Sequence, residues 1–89
     1  MAEETLGQRI RRLRKTRGPG QPELASACAA YGRQVDRNMI QHWEDDVNVP
    51  TLANAAAVAR VLGVSLDVLF YGEEEAARIA AEREHARDD

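Results

Sequence analysis

The sequence predicts an all-α fold of five short helices followed by a charged helical tail. Three observations carry this. Apolar residues recur at i, i+3, i+4 and i+7 along most of the 89-residue chain. Glycine, proline and cap-forming residues stand at the ends of those stretches. No stretch alternates apolar and polar residues as a half-buried strand does, and there is no internal repeat.

Leu6, Ile10 and Leu13 share one face of a first helix, with Arg9, Arg11, Arg12, Arg14 and Lys15 opposite. Arg17-Gly18-Pro19-Gly20 stops it. A second helix opens at Gln21-Pro22, with Gly20 as N-cap and Pro22 in the first turn, where a missing N–H costs nothing. Its inward face is Leu24, Ala25 and Cys28, and it ends near Tyr31-Gly32. Gly32-Arg33-Gln34-Val35 is a turn or short loop. Asp36 caps a third helix with its carboxylate, and Ile40, Trp43 and Val47 form that helix's apolar stripe. Pro50 breaks the chain and Thr51 caps a fourth helix, whose apolar positions are Leu52, Ala55, Ala56, Val58, Ala59 and Leu62. Gly63 sits where a left-handed C-terminal residue is wanted. Ser65 caps a short fifth helix with Leu66, Leu69 and Phe70 inside, ending at Gly72.

Residues 1–72 thus form one domain and residues 73–89 an acidic tail rich in Ala, Glu and Arg. Composition favours helix in the tail, with acidic residues first, as the macrodipole prefers. Ile79 is its one large apolar residue, so the tail reads either as a solvated helical extension or as a segment for dimerisation or a protein partner.

A chain this short holds one modest core, not a doubly wound α/β enzyme. Its single cysteine excludes an intramolecular disulfide and any Cys-rich zinc site. Cys28 reads as a small buried hydrophobe, with a redox sensor as the alternative. His42 and His85 are too few for a metal site. No nucleophile–base pair, phosphate-cradling loop or cofactor motif is visible, so no enzyme activity and no cofactor is expected. No apolar run approaches the ~20 residues that span a bilayer. The acidic start, Met1-Ala-Glu-Glu-Thr, is unlike a signal peptide, so a cytoplasmic protein without membrane attachment is expected.

The net charge of −3 hides an asymmetry. Residues 1–37 carry eight basic and four acidic groups, while residues 38–89 carry four basic and eleven acidic ones. Residues 6–72 alone are net +3, with nine basic and six acidic groups. A mildly basic unit bearing an acidic tail is compatible with nucleic-acid binding.

Two helices separated by a turn in the middle of five suggest a helix-turn-helix domain. The residues carry a stronger likeness: Leu6-Gly7-Gln8-Arg9-Ile10-Arg11-Arg12-Leu13-Arg14-Lys15, Gln21-Pro22-Glu23-Leu24-Ala25 and Ile40-Gln41-His42-Trp43-Glu44. Pro50-Thr51-Leu52 and Leu62-Gly63-Val64-Ser65-Leu66-Asp67-Val68-Leu69 follow in order. Over residues 6–70 this set resembles the Cro/C1-type helix-turn-helix family, also called the Xre family, of phage repressors and bacterial regulators. The resemblance implies a five-helix, lambda-repressor-like domain that binds a double-stranded DNA operator, usually as a homodimer, with its third helix in the major groove. It further implies that Gln21 touches a phosphate or supports the recognition helix. Arg37, Asn38, Gln41 and His42 would then be the exposed recognition positions, and Ile40 and Trp43 the buried ones.

The residues agree with that assignment. Arg37, Asn38 and Gln41 lie opposite the Ile40–Trp43 stripe. Arg pairs with guanine O6/N7, and Asn or Gln with adenine N6/N7, as planar bidentate partners. Met39 meets a thymine methyl or is packed. The basic face of the first helix adds backbone contacts or is simply solvated.

Two departures stand out. About five extra residues around 29–34 either lengthen the second helix or form a loop that contacts DNA through Arg33 and Gln34. Where the family often has Gly and basic residues after Trp-Glu, this chain has Asp45-Asp46-Val47-Asn48-Val49. Those carboxylates repel phosphate unless they turn away or pair with arginines, leaving Asn48 as the polar donor there. The expected function is a repressor-like transcription regulator: Arg37, Asn38, Gln41 and His42 read bases, and Gln21, Arg33 and Asn48 position the backbone. The competing reading is a protein-interaction module on the same fold, such as an antitoxin, anti-repressor or adaptor, using residues 44–46 and the acidic tail.

Overall fold

The protein's computed structural model describes residues 3–87, with side chains through residue 85. The first two residues of the expected domain and the last two of the expected tail lie outside the described residues. Six α-helices follow one another: α1 (Leu6–Arg17), α2 (Gln21–Ala27), α3 (Arg37–Glu44), α4 (Leu52–Leu62), α5 (Leu66–Tyr71) and α6 (Glu73–Arg87). Among the described residues there is no strand, and no helix is long and apolar enough to cross a membrane.

The capping residues behave as their chemistry requires. Asp36, Thr51 and Ser65 accept from the backbone N–H groups of Met39, Asn54 and Val68. Thr5 and Gln8 close a capping box at the start of α1. Gly63 ends α4 at φ 71°, the left-handed conformation anticipated for it. α1 packs on α3, α4 and α5, α2 on α3 and α4, and α6 along α5. Between them lie Ile10, Leu24, Ile40, Val58, Leu62 and Leu69, all fully buried, with Cys28 and Trp43 among them. Cys28 is a free thiol whose burial pushes its pKa up, the opposite of a reactive cysteine.

The residues around 29–34 resolve as a tightened helix end and a short loop. α2 continues as a 3-10 turn, Cys28–Tyr31, closed by left-handed Gly32, and residues 33–36 lead into α3. Two apolar expectations fail. Val47 does not extend the α3 stripe: the helix ends at Glu44, Asp46 turns left-handed (φ 58°), and Val47 is 66% exposed. Leu52, in the first turn of α4, is 68% exposed. The tail is helical and mostly exposed, yet it is not loose: Ala76 is buried and Ile79 half-buried.

Gly7 permits a close approach of α1 to the end of α3. A Cβ there would lie 2.3 Å from the Trp43 carbonyl oxygen and 2.8 Å from that of Glu44. Both obstacles are backbone, so side-chain rotation cannot relieve the clash. Gly7→Ala should destabilise the fold by about 1–3 kcal/mol, read as a lowered urea midpoint. An unchanged midpoint would show that α1 and α3 are not held at this distance.

Candidate nucleic-acid interface

Glu44 organises the site. It stands one turn beyond Ile40 on the buried side of α3, and its side chain has no exposure. A buried carboxylate needs charge and donors around it. Arg14 supplies a fork, its Nε and Nη2 donating at 2.6 and 3.0 Å. Arg11 Nε donates at 3.2 Å and Gln21 Nε2 at 3.1 Å, both to the same oxygen, Oε1. Burial raises the Glu44 pKa, but hydrogen bonds from Arg14, Gln21 and Arg11 outweigh it and hold the carboxyl below its ordinary value. Glu44 in turn raises the pKa of Arg14. The start of α2, the end of α3 and the middle of α1 are therefore fixed on one carboxylate. Gln21 is here a support of α3, the second of its two expected roles.

The next two carboxylates are also occupied. Asp46 accepts from the Gly7 backbone N–H at 3.0 Å and from the Thr5 hydroxyl at 2.6 Å, so it caps α1 from outside. Asp45 accepts from Arg11 Nη2 at 3.3 Å and from Gln41 Nε2 at 2.7 Å. Of the acidic triplet, Glu44 is buried while Asp45 and Asp46 stay at the surface.

The same accounting removes most of the basic face of α1. Arg9 donates to Glu4 at 3.0 Å and to the Phe70 carbonyl at 2.9 Å, closing the end of α5. Arg12 grips Glu73 with two 2.8 Å bonds and Glu4 at 2.7 Å, which ties the start of α6 to α1. These bonds lower the pKa of Glu4, and they bring Glu73 to about 2, its own backbone amide helping. Arg83 reaches Asp67 at 3.1 Å. Arg9, Arg11, Arg12 and Arg14 thus join separate parts of the fold, with Arg11 and Arg12 still partly exposed. Lys15, Arg17 and Arg37 make no ion pair among the described residues.

The anticipated site residues divide accordingly. Arg37, Asn38 and His42 are exposed along one side of α3, with Gln34 and Asn48 exposed before and after the helix. Gln41 is half-exposed and held by Asp45. Met39 is packed against the core, the second of its two readings. Arg33 is half-buried and its Nε donates to buried Asn54 at 2.8 Å, so it ties the 33–36 loop to α4. The roles of Arg14 and Glu44 were not anticipated, whereas a turn away from the groove or an arginine partner was expected as the way out for the 45–46 carboxylates. One signal existed: Arg14 follows Ile10 by four and Glu44 follows Ile40 by four, so opposite charges occupy two apolar-face positions.

No protein-family model matches the chain, and no curated protein matches it. Among solved structures, it is similar to the P22 c2 repressor, a Cro/C1-type helix-turn-helix protein crystallised with synthetic operator 9T in the presence of Tl+. The TM-score is 0.70 at 28% identity, over 80% of this chain and 100% of that one. The fold is that of a repressor helix-turn-helix domain.

Glu44→Gln should cost about 3–5 kcal/mol, because it leaves the buried guanidinium of Arg14 without a counter-charge. Equilibrium unfolding in urea would show this, and a loss under 1 kcal/mol would remove Glu44 from the centre of the fold. Acid should act through the same groups. Glu4, Glu44 and Glu73 have lowered pKa values, so their stabilisation is complete above the ordinary 4.5 and is lost as pH falls through the folded values. The urea midpoint should hold from pH 7 to about 5 and then fall steeply toward pH 2. A flat profile across that window would contradict the pairing.

Proposed function

We propose that this protein is a sequence-specific DNA-binding transcription regulator of the repressor type, working as a homodimer with α3 in the major groove. One observation carries the reading. On a repressor fold, the outward side chains Arg37, Asn38, Gln41 and His42 are all hydrogen-bonding groups. The operator complex of the structural neighbour supports DNA as the partner. Arg37 suits guanine, and Asn38 and Gln41 suit adenine. His42 lies one turn further along the groove, and Gln34 and Asn48 flank the helix where the backbone would pass. Two copies would read half-sites about one helical turn, ~34 Å, apart, and an occupied operator would exclude polymerase. Such a regulator works inside the cell, where its DNA is.

The arrangement around Glu44 makes this reading physically consistent. Arg11 pairs with Asp45, and Asp46 is turned onto the Gly7 N–H and the Thr5 hydroxyl at the start of α1, so one of the two carboxylates is ion-paired and the other is held against α1.

Fluorescence anisotropy on duplexes enriched from genomic fragments tests the function. Fragment-selective binding at low salt, weakening as salt rises, is expected. No selectivity at low salt would overturn the proposal. Arg37→Ala should reduce discrimination at one base position by about 1–3 kcal/mol. Unchanged selectivity would remove Arg37 from the reading face.

A further inference from the structure

We infer that Asp45 is a specificity-determining positioning residue: it fixes the amide of Gln41 so that this side chain accepts adenine and rejects guanine. The inference rests on the proposed DNA-binding function. It starts from the geometry at the end of α3. Asp45 ends the helix, where a carboxylate opposes the macrodipole and is unfavourable unless compensated. Arg11 compensates it from α1 with a 3.3 Å bond to Oδ1. The other oxygen, Oδ2, accepts from Gln41 Nε2 at 2.7 Å, one helical turn back. Arg11 is itself anchored by its Nε on buried Glu44, so the relay ends on a fixed point.

A carboxylate only accepts, so Gln41 must turn its nitrogen, not its oxygen, toward Asp45. An amide nitrogen carries two hydrogens, and one is spent on Asp45. With the hydrogen on the far side of the nitrogen given to Asp45, the N–H beside the carbonyl oxygen is left, a donor and an acceptor side by side. Adenine presents the matching acceptor and donor, N7 and N6–H. Guanine presents two acceptors, N7 and O6, and places one of them against the Gln41 oxygen. A free glutamine meets guanine by rotating its amide and offering both hydrogens; the Asp45 bond forbids that rotation. The carboxylate thus trades phosphate attraction for a fixed hydrogen-bond polarity in the groove.

The experiment selects duplexes from a randomised library with the full chain and with Asp45→Ala and Asp45→Asn. The wild-type motif should hold one position where adenine exceeds guanine by about tenfold or more. Asp45→Ala should flatten the ratio at that position and leave the others unchanged. Asp45→Asn should invert it. Arg11 would claim the new side chain's oxygen, its NH2 would take the Gln41 oxygen, and the Gln41 nitrogen would face the groove and favour guanine. The unaltered protein supplies an independent measurement. Replacing the critical adenine with 7-deazaadenine should weaken binding, and 2,6-diaminopurine, which keeps N6 and N7, should not. Motifs identical in all three proteins, or no loss with 7-deazaadenine, would overturn the assignment while leaving the DNA-binding function standing. A wild-type protein that enriches no motif would overturn both.

Discussion

A carboxylate that is fully buried and ionised is tolerated only where the surrounding chain brings donors to it. Glu44 has four such bonds, from Arg14, Arg11 and Gln21, which stand on α1 and at the start of α2. The apolar core fills the space between these helices, but apolar contact is non-directional and allows helices to slide and rotate. The bidentate Arg14–Glu44 bond is directional. It sets the azimuth of α3 about its own axis, and that azimuth decides whether Arg37, Asn38 and His42 face outward together. Gly7 then permits α1 to sit on the last carbonyls of α3, and Asp46 closes the contact from the other side. Within a core placed by apolar periodicity, this one buried charge ties the end of α3 to α1 and to the start of α2.

The chain's overall charge takes its meaning from the same bonds. The net +3 of residues 6–72 suggests a positive surface, yet Arg9, Arg11, Arg12 and Arg14 are all paired with carboxylates of the same chain. Equally, part of the acidic tail's charge is not free, since Glu73 lies on Arg12. The −3 total and the +3 subtotal therefore describe neither face well. What matters for an anionic partner is the remainder near α3: Arg37, which has no ion pair among the described residues, against Asp45 half-neutralised by Arg11.

Local features were legible in the sequence because they depend on neighbours. Asp36, Thr51, Ser65 and Gly63 fix helix ends through bonds spanning three to five residues, and periodicity places Ile10, Ile40 and Leu69 in the core. The outward set Arg37, Asn38 and His42 follows from the same register. The ion pairs were not legible. Arg14 and Glu44 are 30 residues apart, and Arg12 and Glu73 are 61 apart, so no local rule pairs them. The internal bonds of Arg33 and Gln21 were not legible either, because their acceptors, Asn54 and Glu44, come from distant helices. Val47 misled for a local reason: the apolar period runs through a left-handed Asp46 that ends the helix, and an aspartate signals that conformation less clearly than a glycine would.

On the DNA-binding reading, carboxylates at 45 and 46 have a consequence for selectivity as well as for affinity. Non-specific binding comes almost wholly from cations on phosphates, whereas base contacts add only at the right sequence. A chain that replaces basic residues beside the recognition helix with two aspartates subtracts from both kinds of binding alike. It leaves the difference between them, which the base-reading side chains supply. The ratio of specific to non-specific affinity is what selects one site among many competing ones, and it survives that subtraction. The absolute affinity does not survive it, and two linked half-sites restore it, since the second engages at the high local concentration set by the first. On the same reading, the proposed homodimer would return what the acidic border takes away: a single copy would have the face to read a half-site with less electrostatic hold on it.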